Sequence, residues 1–474
     1  MLFNSLAFLI FFIIVLTIHN LPLTWKIKKV HLLLASYIFY AAWNPPFVIL
    51  LWISTVVDWF AAKTMSTEER IGRRKILLGF SLLANLGMLS YFKYGKWLTE
   101  SFVQLMNQLG VEYDVPQLDI ILPVGISFYT FQTLSYTIDV YLKRSEPESS
   151  FLDFALFVTF FPQLVAGPIV RPYQLIPQFK EPRRANGKQF TWGLLLFTWG
   201  LFQKSVLADG ILSIVVGDTF NAMRHVTAFD AWLGVLAFSC QIFFDFAGYS
   251  LCAIGIALCL GFSIPNNFNS PYAAIGFSDF WNRWHISLSG WLRDYLYIPL
   301  GGNRKGARRT YINLSITMLL GGLWHGADWQ FLVWGGVHGL YLIIERLLKK
   351  WLDTETLTAK PAIAMLGALA TFVCVSLTWV FFAASDWSKC LQMFQSLVGM
   401  AGDDPLMVIS SFHIFMTILI VIIMLLCHWL MRDIEIEDLA SKTPMWLLTL
   451  FWTVILFITI MTGGSASAFI YFQF

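Results

Sequence analysis

Among eight histidines, His325 stands in the most unusual surroundings, the stretch LLGGLWHGADWQFLVWGGVHG at 319–339. A titratable ring inside an apolar run is costly to bury and is a functional candidate by default. Gly321, Gly322 and Gly326 remove side chains around it, so a ligand is expected to approach the backbone closely there, beside Trp324. The competing reading is a histidine hydrogen-bonded inside a helix bundle. Imidazole titrates near neutrality, which suits general-base activation of a hydroxyl attacking an activated acyl group. Asp328, three residues on, orients the ring if the stretch is helical, or else sits solvated at a helix end. His338 follows 13 positions later, about 220° round an ideal helix. It therefore shares no face with His325 and reads as packing or support.

His285 lies in FWNRWHISLSGWLRDYLYIPLGGNR (280–304), an amphipathic and basic stretch. Arg283, Arg293 and Arg304 could meet phosphates through the guanidinium fork, or could simply anchor a cytoplasmic loop. His285 and His325 are 40 residues apart and can share a cavity only through the tertiary fold. His19, His31 and His428 fall at the ends of apolar runs, where an interfacial ring needs no further role, and His225 and His413 lie near loops. No GxSxG, HExxH, P-loop or Cys/His cluster is present, so no metal site is expected. The six cysteines form no CxxC and read as packing.

The elements that position these residues follow from composition. The chain has 474 residues, of which 13% are charged, against roughly 25% in soluble globular chains. Hydrophobic residues make up 57%, aromatics 17%, and mean hydropathy is +0.65. So few charges cannot cover a water-facing surface of this size. A soluble enzyme, a disordered chain and a secreted disulfide scaffold are excluded, and a net charge of +3 gives no argument for nucleic acid. The opening MLFNSLAFLIFFIIVLTI has neither a basic n-region nor a cleavage site and reads as a retained helix.

Apolar runs occupy 2–18, 30–43, 46–62, 76–92, 119–141, 151–170, 190–208, 230–262, 311–324, 328–346, 362–384, 406–430 and 446–462. Several are broken, at Asn44-Pro45-Pro46, Pro123 and Pro162, which a membrane tolerates only where protein or water covers the freed backbone. Basic loops at 26–29, 63–75, 143–144, 171–188, 283–309 and 349–350 are expected to be cytoplasmic. Only the run 151–170 separates two of them, so it is expected to be re-entrant. The expectation is an all-α polytopic membrane protein, one domain over 1–474, with ten to twelve crossings, re-entrant segments and both termini on the far side. Far-side loops at 98–118 and 386–404 are short, so any large soluble chemistry there must come from another chain.

At these residues the sequence resembles the membrane-bound O-acyltransferase family, and more closely its bacterial branch that includes alginate and cell-wall O-acetylation subunits. The matching text is SYIFYAAW (36–43), YFKY (91–94), LPVGISFYTFQTLSYTIDVY (122–141), FFPQLVAGPIVR (160–171), RWHISLSGWLRDYLYIPLGGNR (283–304) and LLGGLWHGADWQFLVWGGVHG (319–339). The resemblance implies a helical ring around a thin floor with a central tunnel. It implies His325 as the catalytic residue and His285, the second motif histidine, as a further catalytic residue helping from the cytoplasmic side. It further implies acetyl-CoA as a cytoplasmic donor with no permanently bound cofactor. The acyl group would pass across the bacterial inner membrane to a periplasmic O-acetyltransferase or esterase-like partner acting on a polysaccharide. Peptidoglycan is the favoured acceptor, with alginate or another exopolysaccharide as alternatives. Where many relatives read FDFSGYSDMAIG, this chain reads FDFAGYSLCAIG (244–255), with Ala247, Leu251 and Cys252 at the altered positions. A transporter or flippase of lipid-linked sugar, with histidines as a proton relay, is the rival class. It requires paired acids within spans, whereas the acids here cluster in loops, Asp58, Asp139 and Asp245 being the main exceptions.

Overall fold

A computed structural model describes residues 1–112, 115, 119–165, 167–352, 360–400, 402 and 404–462. Among them the regular structure is helical, apart from a single parallel bridge between Val226 and Leu406. Eight helices are long and apolar enough to cross a membrane: Pro45–Thr67, Ile71–Gln108, Gly187–Phe220, Ala228–Cys259, Trp329–Trp351, Pro361–Ala383, Ser411–Leu430 and Met445–Thr462. The shorter or less apolar helices Leu6–Asn20, Trp25–Ala41, Ile126–Tyr141 and Gly306–His325 stand among them. The expectation of ten to twelve crossings includes the apolar runs of these four as well. The far C-terminal end lies outside the described residues.

Burial sorts these helices into an outer ring and an interior. Ile13, Leu83, Phe415, Ile423, Phe457 and Ile460 point outward, where hydrocarbon replaces water as their surroundings. The 32-residue helix Ala228–Cys259 is instead almost wholly enclosed. It packs against Gly187–Leu201 through two pairs of glycines, each pair seven residues apart in its own helix. A Cβ on Gly200 would lie 2.4 Å from the Gly248 carbonyl oxygen, and one on Gly255 would lie 2.4 Å from that of Gly193. Only glycine lets the two backbones come this close, which is how helices associate where lipid gives no hydrophobic drive. One continuous core of buried side chains runs from Phe3 to Met424.

The run 151–170 is broken, in keeping with its prolines and flanking charges. A helix Phe151–Thr159 stops, and a single turn Phe161–Leu164 restarts after Phe160. Nine residues span about 14 Å, too little to cross a bilayer. Side chains satisfy the backbone groups released at the break: Ser36 Oγ accepts from Phe161 N at 3.1 Å, and Gln132 and Gln163 both donate to the Phe157 carbonyl.

Two further irregularities place the candidate site. Ile71–Gln108 contains a π-turn at Ser90–Tyr94, a local widening that often marks a functional position. Gly306–His325 ends at His325, and Trp329–Trp351 folds back along it.

Candidate active site

His325 is the last residue of its helix and is 3% exposed. Its ring is held edge-on by Trp324, Trp334 and Phe382, with centroids 5.0, 5.0 and 5.1 Å away. A helix C-terminus leaves carbonyls without intrahelical partners, and here the π-turn supplies them. Lys93 Nζ donates to the carbonyls of Trp324 and His325 at 2.7 and 2.9 Å, and Tyr94 OH donates to that of Leu323 at 2.7 Å.

Two cavities meet at this ring. The larger, of 290 Å³, runs along one face of Gly306–His325 formed by Leu314, Thr317, Met318, Gly321 and His325. The helical rise makes that face about 16 Å long, and Leu288, Leu292, Arg293 and Tyr297 form part of the remaining wall. The smaller cavity, of 40 Å³, is lined by Lys93, the segment 122–128, Trp324 and His325. His325 lines both, and the two share no other lining residue. Lys93 lies about 33 Å along its helix from the basic end at 70–75, so the smaller cavity sits toward the side remote from that basic loop.

His285 is fully buried and adopts a left-handed backbone, φ 44° and ψ 54°, at the start of Ile286–Leu292. Such a conformation in a non-glycine residue is strained and is kept only where surroundings over-determine it. Asn267 does so here. Its Oδ1 accepts from Ser287 N at 3.2 Å, Ser287 Oγ at 2.8 Å and His285 Nδ1 at 3.1 Å, while its carbonyl accepts from Ile286 N at 2.9 Å. Because a backbone N–H donates to the amide oxygen, that oxygen is the acceptor toward His285 as well. His285 therefore carries its proton on Nδ1 and keeps its lone pair on Nε2. The ring lies 5.7 Å from Trp324 and 4.6 Å from Phe246. It lines neither of the two cavities, so the histidines meet through the Trp324 indole and not in shared open space.

The remaining candidates separate. His338 donates from Nε2 to Thr378 Oγ1 at 3.0 Å, because that hydroxyl already donates to the Val375 carbonyl at 2.6 Å. Its ring packs 4.6 Å from Trp334, one of the three rings around His325, which is a supporting position. Asp328 caps the next helix, its carboxylate accepting from Gln330 N at 2.9 Å. Gly322 and Gly326 make room for Phe331 and not for a ligand. A Cβ on Gly322 would meet the Phe331 carbonyl oxygen at 2.2 Å, and one on Gly326 would meet the Phe331 ring at 2.0 Å. Of the three, Gly321 alone lines either His325 cavity.

Of the arginines, Arg293 borders the larger cavity and is well exposed. Arg283 is spent on the protein's own acceptors: Asp279 at 2.8 Å, the Arg432 carbonyl at 2.7 Å, the Asn269 carbonyl at 3.3 Å and Asp433 at 3.3 Å. Arg304 lines neither cavity. Ala247 and Leu251, from the altered stretch, line a separate 530 Å³ cavity, which Asn267 also borders, while Cys252 packs against the Phe197 carbonyl. The three acids that the sequence places within apolar runs are tied elsewhere: Asp58 to Ser81 and Asn85, Asp139 to Tyr295, and Asp245 to Lys204. None of them borders either His325 cavity, so they form no acid relay leading to that ring.

Sequence reasoning missed Lys93 and Asn267 as site residues. Lys93 had a signal, a single cation closing the apolar run 76–92. Asn267 had only the Asn266-Asn267 pair after Pro265, which reads as an ordinary turn.

The profile of MBOAT, the membrane-bound O-acyltransferase family, matches residues 142–387, a stretch holding His285, His325 and His338. A probable alginate O-acetylase AlgI of Pseudomonas putida is 41% identical over 401 residues, covering 84% of this chain and 80% of the relative. A peptidoglycan O-acetyltransferase of Helicobacter pylori is 38% identical over 400 residues, covering 79% and 74%. A teichoic acid D-alanyltransferase of Bacillus subtilis is 30% identical over 248 residues, covering 48% and 60%. With identity at this level over most of its length, and a multi-pass helical fold, the chain belongs to the membrane-bound O-acyltransferase family and is an O-acyltransferase.

Proposed function

We propose that the protein takes acetyl from cytoplasmic acetyl-CoA and passes it across the inner membrane for O-acetylation of an extracytoplasmic polysaccharide, with His325 as the catalytic residue. The observation that carries this reading is the position of His325 on the walls of two cavities, the larger leading along its helix toward Arg293 and the smaller lying on the side remote from the 70–75 loop.

The donor's thioester arm enters along the Leu314–His325 face, with its phosphates near Arg293, where a guanidinium fork suits phosphate oxygens. His325 accepts the proton of the attacking hydroxyl, the new oxygen–carbon bond forms, the carbon–sulfur bond breaks, and the proton passes to the departing thiolate. The small size of the 40 Å³ cavity beside His325 supports a short acyl chain. His285 acts as a positioning residue, through its contact with Trp324. The names of the alginate and peptidoglycan relatives support a polysaccharide acceptor. We take peptidoglycan as the first to test and alginate or another exopolysaccharide as the next. Delivery goes through a periplasmic O-acetyltransferase or esterase-like partner, and both termini are assigned to the periplasm.

Inverted inner-membrane vesicles expose the cytoplasmic face, so acetyl-labelled acetyl-CoA added outside tests the reading. Label recovered on luminal glycan, dependent on this protein, is the expected result. Label that stays on CoA, with glycan unmodified, overturns it.

A further inference from the structure

The smaller cavity holds a cation that the steps above do not use. Lys93 is a single charged residue at the end of an apolar run, turned inward by the π-turn Ser90–Tyr94. An ammonium has three N–H donors. Two of them go to the carbonyls of Trp324 and His325, at 2.7 and 2.9 Å. Burial costs this ammonium its hydration, and the negative end of the Gly306–His325 helix dipole and the Trp324 ring, whose centroid is 5.9 Å from Nζ, offset that cost. Lys93 lines the 40 Å³ cavity together with His325.

We infer that the third N–H of Lys93 is the oxyanion donor for acyl transfer at His325. This rests on the acyl-transfer reading above. When the acceptor oxygen bonds to the acyl carbon, the carbonyl electron pair moves onto the carbonyl oxygen, and Lys93 donates to that oxygen. The pair returns as the carbon–sulfur bond breaks, and the hydroxyl proton leaves through His325 to the thiolate. The two backbone carbonyls fix Nζ before the substrate arrives, so no reorganisation is needed when the charge develops. The same bonds set the donor relative to the ring, because the His325 carbonyl and imidazole belong to one residue.

The test compares Lys93→Met, Lys93→Arg and Tyr94→Phe in the purified full-length chain, with His325→Ala as reference. The readouts are kcat, KM for acetyl-CoA and thermal unfolding, together with polymer acetylation in cells. Losing one oxyanion donor costs about 10²–10³ in kcat. Lys93→Met is expected to show that loss with KM little changed, and Lys93→Arg a partial recovery. Tyr94→Phe removes a bond from the same helix end outside the cavity, and is expected to lower Tm while keeping kcat near wild type. If Lys93→Met keeps kcat within threefold, or loses activity only in proportion to lost folded protein, Lys93 is a helix cap and the proposal is overturned. A wild-type protein that releases no CoA, in cells that still acetylate their polymer, retires the donor assignment alone. Lys93 is then judged by the cellular acetylation rate, with the same two outcomes. No acetylation in either assay overturns both.

Discussion

His285 Nδ1 lies 3.1 Å from Asn267 Oδ1, and that bond decides which nitrogen of the histidine carries its proton. The same amide oxygen holds the Ser287 backbone and hydroxyl, so one side chain fixes both the strained backbone of His285 and its tautomer. Asn267→Leu leaves a buried imidazole N–H and a backbone N–H without an acceptor. Each such group costs about 1–3 kcal/mol. The expected outcome is a clear fall in Tm of the purified protein and a loss of acyl transfer, with Asn267→Asp milder because it keeps an acceptor. An unchanged Tm in Asn267→Leu would show that the amide does not hold this corner.

Gly321 and Gly322, adjacent in the Gly306–His325 helix, should respond differently. Gly322→Ala drives a methyl to 2.2 Å from the Phe331 carbonyl oxygen, a backbone atom that cannot swing away. It is expected to reduce folded protein severely, as overpacking against rigid backbone does. Gly321→Ala meets only the end of the Leu292 side chain, at 3.2 Å, on the wall of the larger cavity. That variant is expected to fold, with near-native Tm, and to raise KM for the acyl donor by narrowing its passage. Equal expression and equal kinetics for the two would contradict the placement of these residues.

Arg293 and Arg283 form a second contrast. Arg293→Ala removes an exposed cation at the cavity wall, and is expected to raise KM for acetyl-CoA about tenfold, an effect that weakens with added salt. Arg283→Ala removes the tie between Asp279 and the 432–433 turn, and is expected to lower Tm while leaving KM for the donor near wild type. Steady-state kinetics at two ionic strengths, with unfolding curves, separate the roles; a donor KM that rises with Arg283→Ala and not with Arg293→Ala would reverse them.

Much of this was legible before any coordinates. Charge scarcity and run length placed the chain in a membrane, and the two basic loops flanking 151–170 identified a segment that could not cross. His325 stood out because an ionisable ring in an apolar run needs a reason. What stayed hidden depends on partners distant in sequence. Gly322 and Gly326 look like room for a ligand until Phe331 is seen to fill the space. Arg283 looks like a phosphate contact until its guanidinium is found among Asp279, Asn269 and Arg432. Asp328 could orient a ring three residues away only if the helix continued, and the chain instead breaks at Gly326 and starts a new helix that this carboxylate caps. Lys93 is separated from His325 by 232 positions, a contact that periodicity cannot reveal.

The most direct measurement is acetyl turnover by the purified protein in lipid nanodiscs, wild type beside His325→Ala, with labelled acetyl-CoA and a glycan acceptor. The account predicts that the variant inserts and unfolds like wild type yet transfers no acetyl above background. Acetyl transfer by the variant at the wild-type rate would contradict it.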